Sequence, residues 1–124
     1  MIRGIVNESG CAMIRFDLRS SSGSDAQTTE AWIDTGFTGE LALPRDLIRE
    51  WSLPAGGLVR AILADGSETM AITYLAYLEW FGEERPVEVV AIDGSIPLLG
   101  VLLLLGCRLE VDYAAMNLSI ERLL

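Results

Sequence analysis

The chain has 124 residues, 51% hydrophobic and 22% charged, which is the size of one ordinary domain and enough apolar material for a core without disulfide staples. Its net charge of -9 argues against nucleic acid, whose phosphates demand a basic face, and against anionic membrane surfaces. It contains no His, and its nine basic side chains are all Arg, so Ser-His-Asp, Cys-His and lysine-dependent chemistries are excluded and unaided catalysis would fall to carboxylates.

In chain order, the first 18 residues interrupt every short apolar run with Arg, Glu or Asp, so no signal peptide is expected. Residues 13–19 alternate, with Ile14, Phe16 and Leu18 on one face and Arg15, Asp17 and Arg19 on the other, the mark of a half-buried strand. A Ser-rich loop follows at 20–25, and then an apolar run that ends at Asp34. A helix is predicted from Pro44, suited to the first helical position, carrying Leu47, Ile48 and Trp51 and stopping before Pro54. Runs at 59–63 and 68–73 flank Ala64-Asp65-Gly66-Ser67, and Asp-Gly between apolar runs is a strong hairpin signal. Two further strand-like runs between 72 and 92 are split by Phe81-Gly82-Glu83-Glu84 as the turn.

A short helix is expected over 100–105, with Gly106 as its C-terminal cap. Strands at 108–112, with Leu109 and Val111 inward, and around Leu118 and Ile120 complete the chain. The most lipophilic segment, 96–105, is about half of the ~20 residues a membrane span needs, so a cytoplasmic location is the expectation. Cys11 and Cys107 sit among apolar neighbours and are expected as reduced thiols; two cysteines without His make no recognisable zinc site, and no metal or cofactor is expected. The pattern is that of one mostly-β domain spanning 1–124, a small barrel or sandwich with one or two short helices.

The stretch with chemical content is Ala31-Trp32-Ile33-Asp34-Thr35-Gly36-Phe37-Thr38-Gly39, in which a strand delivers a carboxylate into a tight turn. Asp, Thr and Gly are common turn residues, so the three letters alone also fit a plain surface turn. Their setting carries more. Leu41-Ala42-Leu43-Pro44 follows, the Asp65-Gly66 hairpin stands downstream, and Pro97-Leu98-Leu99-Gly100 precedes the apolar run that ends at Gly106. Motif, hairpin and apolar-apolar-Gly in this order resemble the retropepsins, the retroviral-type aspartic proteases, and their bacterial single-domain relatives, over nearly the whole chain.

That resemblance implies a closed acid-protease barrel with a flap hairpin, and an aspartic endopeptidase acting on a peptide or protein. One Asp-Thr-Gly per chain implies a homodimer in which Asp34 faces its symmetry mate. Two close carboxylates share one proton, as in the aspartic protease dyads that are the standard case. The ionised member draws a proton from a water and the protonated one donates to the scissile carbonyl. By the family pattern Thr35 sends its hydroxyl across the interface, Gly36 turns the chain and admits substrate backbone, and Leu99 and Gly100 pack beneath the catalytic loop. Gly36, Thr38 and the flap residues Ala64, Asp65 and Gly66 are the implied substrate contacts. Ile33, Leu63 and Ile92 are candidate walls for apolar substrate side chains.

The chain departs from the family in three places. Thr38 and Gly39 stand where an acidic residue is frequent, Leu102 where a polar one is usual, and the flap tip carries one glycine and a charge. Two other readings fit the sequence: a dimer of the same fold that binds peptides without cleaving them, and an unrelated small β-barrel binding module.

Overall fold

The computed structural model describes residues 1–123. The strands are β1 (Ile2–Val6), β2 (Ala12–Arg19), β3 (Gln27–Ile33), β4 (Leu41–Pro44), β5 (Ala55–Ile62), β6 (Glu68–Trp80), β7 (Glu83–Ile92), β8 (Leu98–Leu99), β9 (Cys107–Asp112) and β10 (Asn117–Arg122). One helix, α1 (Arg45–Glu50), follows β4, and a 3-10 turn occupies Val101–Leu103. The strands form one sheet in the order β5-β6-β7-β4-β8-β3-β2-β1-β10-β9, with a further pairing of β6 to β2. That pairing, Leu18 to Leu78 and Arg19 to Tyr77, closes β2, β3, β8, β4, β7 and β6 into a ring. The fold is therefore a closed barrel, as expected, with β1, β10 and β9 extending the sheet from β2 and β5 extending it from β6.

Alternation fills the ring. Ile14, Phe16 and Leu18 of β2 meet Ala31 and Ile33 of β3, Leu41 and Leu43 of β4, Ala76 and Leu78 of β6, and Val87 and Val89 of β7 in one buried cluster. Burying these side chains is the main favourable term in folding. Leu109 and Val111 are half-buried against this cluster, and Leu118 and Ile120 are buried within it. Cys11 is buried and Cys107 half-buried, and both are free thiols. Among the described residues no helix is long and apolar enough to cross a membrane.

Four local expectations need correction. Pro44 is not the first helical residue: it pairs with Ile92 at the end of β4, has an extended ψ of 142°, and stands as the N-cap of α1. The helix predicted over 100–105 is a single 3-10 turn, because Gly106 (φ 78°) reverses the chain one turn later and Cys107 N–H donates to the Leu104 carbonyl. The turn after β6 is Phe81-Gly82 alone, while Glu83 and Glu84 belong to β7 and pair with Trp80 and Glu79. Phe81 and Gly82 both have positive φ (53° and 79°), the two-residue turn whose twist matches the strands it joins. Finally, the runs at 68–73 and after 72 are one continuous strand of 13 residues, β6. Its first half pairs with β5 from Ile62↔Glu68 to Ala55↔Tyr74 and its second half pairs with β7.

Candidate active site

Asp34 is placed by a pairing between strands remote in sequence. β8 lies parallel to β3, matching Trp32 with Leu98 and Ile33 with Leu99. Trp32 N–H donates to the Pro97 carbonyl and Asp34 N–H to the Leu99 carbonyl, both at 2.9 Å. The same two residues of β8 pair antiparallel with Leu41 and Ala42 of β4. Leu99, fully buried, thus joins the strand that enters the Asp34 turn to the strand that leaves it. Alternation then decides direction. Ile33 points into the core, so Trp32 and Asp34 share the outer face; Trp32 is 41% exposed and Asp34 half-buried.

Beyond Asp34 the chain turns tightly. Phe37 N–H donates to the Asp34 carbonyl at 3.1 Å, and Gly36 N–H donates to Asp34 Oδ1 at 2.9 Å. The second bond fixes one carboxylate oxygen and leaves Oδ2 without a partner among the described residues. Gly36 does not adopt a left-handed φ, so the turn itself does not require glycine there. What glycine provides is room: a β-carbon would stand 3.2 Å from Asp34 Oδ1. Thr35 and Thr38 are exposed, and the Thr35 hydroxyl has no hydrogen-bond partner among the described residues.

The loop after the turn is clamped by the 3-10 segment. Gly100 N–H donates to the Glu40 carbonyl (2.8 Å), Val101 N–H to that of Phe37 (2.9 Å) and Leu102 N–H to that of Gly39 (3.2 Å). At Gly100 a β-carbon would overlap the Gly39 carbonyl and crowd the Phe37 ring, so here glycine is a requirement of close approach. The predicted support residues Leu99 and Gly100 therefore do meet the Asp34 loop. Phe37, Gly39 and Glu40, which sequence reasoning did not single out as supports, form the other half of the clamp. The glycine at 39 opposite one at 100 was the available signal.

Ala64, Asp65 and Gly66 form the exposed tip of the β5–β6 hairpin. Leu63 N–H donates to the Ser67 carbonyl at 2.8 Å, Gly66 takes a φ of 85°, and Asp65 Oδ1 accepts from Ser67 N–H (2.9 Å) and Ser67 Oγ (2.6 Å). These two bonds, the hydroxyl's first, hold the Asp65 carboxyl below its ordinary pKa. No hydrogen bond joins this tip to the Asp34 turn among the described residues. Of the candidate pocket walls, Ile33 is withdrawn because its side chain is in the core. Leu63 is 49% exposed at the tip, and Ile92 lines a groove with Pro44 and Asp93.

A solved structure, the crystal structure of a retropepsin-like aspartic protease from Rickettsia conorii, superposes on this chain with a TM-score of 0.61. The match covers 97% of this chain and 88% of that one at 20% sequence identity. The fold is retropepsin-like. No family model and no curated protein matches the sequence. Within the retropepsin-like fold, Asp34-Thr35-Gly36 occupies the turn after β3, the β5–β6 hairpin is the flap, and Leu98-Leu99-Gly100 leads into the 3-10 segment.

Proposed function

We propose that this protein is an aspartic endopeptidase in which Asp34 and its symmetry mate form the catalytic dyad of a homodimer. The observation that carries the reading is the Asp34 carboxylate itself. It stands on the outer face at the end of β3, anchored at Oδ1 by Gly36 N–H with Oδ2 left over, in a chain of retropepsin-like fold. A lone carboxylate does not divide general acid from general base. Two across a two-fold axis do, since the pair holds one proton between them and its titration belongs to both.

The ionised carboxylate accepts a proton from the attacking water while the protonated one donates to the carbonyl oxygen of the scissile peptide. Neither a nucleophilic side chain nor His is needed. Thr35, exposed and with an unspent hydroxyl, is suited to a hydrogen bond with the partner's loop. Gly36 leaves space beside the carboxylate for substrate backbone. Thr38 and the flap tip Ala64-Asp65-Gly66 are the further substrate contacts, and the protein acts in the cytoplasm.

Hydrolysis of unfolded casein at mildly acidic pH, by wild type and Asp34→Asn, with and without a general aspartic-protease inhibitor, tests this. The reading expects turnover by wild type that the inhibitor blocks, and none by the variant, which keeps fold and assembly. Leu102, 43% exposed at the position where the retropepsin resemblance implies a polar residue, favours the second reading, a dimer that binds peptides without cleaving them. Peptide binding without turnover by wild type would establish it.

A further inference from the structure

The sheet has two open ends, β5 and β9. An edge strand turns a row of unpaired N–H and C=O groups outward, where another strand can add. At β9 the ladder with β10 decides which groups these are. Leu123 N–H donates to the Gly106 carbonyl at 2.9 Å. Hydrogen-bonded pairs alternate along an antiparallel ladder, so in this register Arg108, Glu110 and Asp112 exchange bonds with β10. The backbone groups of Cys107, Leu109 and Val111 therefore point to the free edge. Of these, among the described residues, the Cys107 N–H alone is spent, on the Leu104 carbonyl. Side chains alternate in step: Cys107, Leu109 and Val111 are half-buried against the core, and Arg108, Glu110 and Asp112 are exposed.

We infer that β9 is the docking edge for β9 of a second copy of this chain, paired antiparallel about a two-fold axis at Leu109. In that register Leu109 N–H donates to the partner's Leu109 carbonyl and Val111 N–H to the partner's Cys107 carbonyl, each in both directions. Arg108 stands opposite the partner's Glu110 in the closely spaced, non-hydrogen-bonded position. Cys107 stands opposite the partner's Val111 and continues the apolar face. Leu105 and Tyr113, 68% and 64% exposed at the two ends of the strand, are brought to the same end of the paired ribbon.

Neighbouring registers are worse. An axis at Glu110 sets that carboxylate against its own mate, one at Arg108 sets arginine against arginine, and one at Val111 sets Glu110 against Asp112. Arg108 already meets Glu121 across the ladder at 3.8 Å, both well exposed, so the charges choose the register rather than supply the affinity. The other open edge offers no such match, since Arg60 is the one charged residue of β5 and self-pairing cannot answer it with a carboxylate. β1 has both edges occupied, by β2 and β10. Through Gly106, β9 continues from the 3-10 segment that clamps the Asp34 loop. This edge therefore serves the homodimer of the peptidase reading and rests on it, although self-association itself needs no catalysis.

Sedimentation equilibrium of the full chain tests it through charge reversal. Arg108→Glu and Glu110→Arg each set like charges opposite one another on both sides of the axis, and each is expected to raise the dimer dissociation constant about 10-fold or more. Net charge alone would move the two in opposite directions, since one variant adds negative charge and the other removes it. Arg108→Glu/Glu110→Arg restores the match and is expected to fall within about 3-fold of wild type. In a Cys11→Ala/Cys107→Ala background, Leu109→Cys is expected to give a disulfide-linked dimer on oxidation, the strand spacing suiting that bond, and Leu58→Cys on β5 is not. A monomeric wild type, a Glu110→Arg dimer as tight as wild type, a double variant as weak as the single ones, or bridging through Leu58→Cys in place of Leu109→Cys would overturn the proposal. Dimers with this charge dependence that leave casein uncut would support it and overturn the peptidase reading. Active dimers indifferent to both charges would do the reverse.

Discussion

At the scale of single residues, two glycines flank the candidate site and do different work. Gly100 sits against the Gly39 carbonyl, so Gly100→Ala forces backbone apart and is expected to cost about 1–3 kcal/mol. At Gly36 the nearest atom to an added β-carbon is the end of the Asp34 side chain at 3.2 Å, and no left-handed φ is involved. Gly36→Ala is therefore expected to change stability by less than ~1 kcal/mol and to act on the carboxylate's position instead. Urea unfolding of the two variants checks the order, and a more stable Gly100→Ala than Gly36→Ala would contradict it. Leu99→Ala opens a cavity under the turn and is expected to cost about 2–5 kcal/mol by the same measurement. Asp34 was legible in sequence because strand-end carboxylate, small turn residues and apolar flanks are local features. The clamp of Phe37, Gly39 and Glu40 was not, since its partners come from beyond position 99 and meet it through backbone atoms, with the glycines at 39 and 100 as the only trace at the level of residues.

At the scale of elements, the flap offers a test through protonation. Asp65 has its pKa depressed by the hydrogen bonds from Ser67, so the fold favours the ionised form. The stabilisation this gives the hairpin is present above the unfolded-state pKa and is lost as the pH falls through the depressed folded value. Ser67→Ala is expected to raise the Asp65 pKa towards the ordinary aspartate range, read by side-chain NMR titration. An unchanged midpoint would show that the Ser67 hydroxyl does not hold the tip.

The hairpins were legible because Asp65-Gly66 and Phe81-Gly82 place glycine where the backbone is left-handed. The continuity of β6 was not, because its partner changes from β5 to β7 near Thr73 without any break in the strand. The 3-10 segment was over-read as a helix because an apolar run before a glycine looks alike in both. The difference lies in the Leu103 and Leu104 N–H groups bonding three residues back, to the Gly100 and Val101 carbonyls, before Gly106 reverses the chain. The two-residue β8, whose partners lie far away in sequence, is too short for any periodicity to reveal.

At the scale of the whole molecule, the proposed function rests on one claim, that a chain with a single Asp-Thr-Gly forms its active unit from two chains. Specific activity is expected to fall on dilution below the dimer dissociation constant, and unfolding to depend on protein concentration. Full activity in a sedimenting monomer would exclude this. The most direct measurement is subunit mixing. Wild type and Asp34→Asn are combined at fixed total concentration, allowed to exchange chains, and assayed per wild-type chain. If each dyad needs one Asp34 from each partner, activity per wild-type chain falls in proportion to the wild-type fraction, to about half at equal mixing. Activity per wild-type chain that stays constant across all ratios, with exchange verified by labelled chains, would contradict a shared Asp34 dyad.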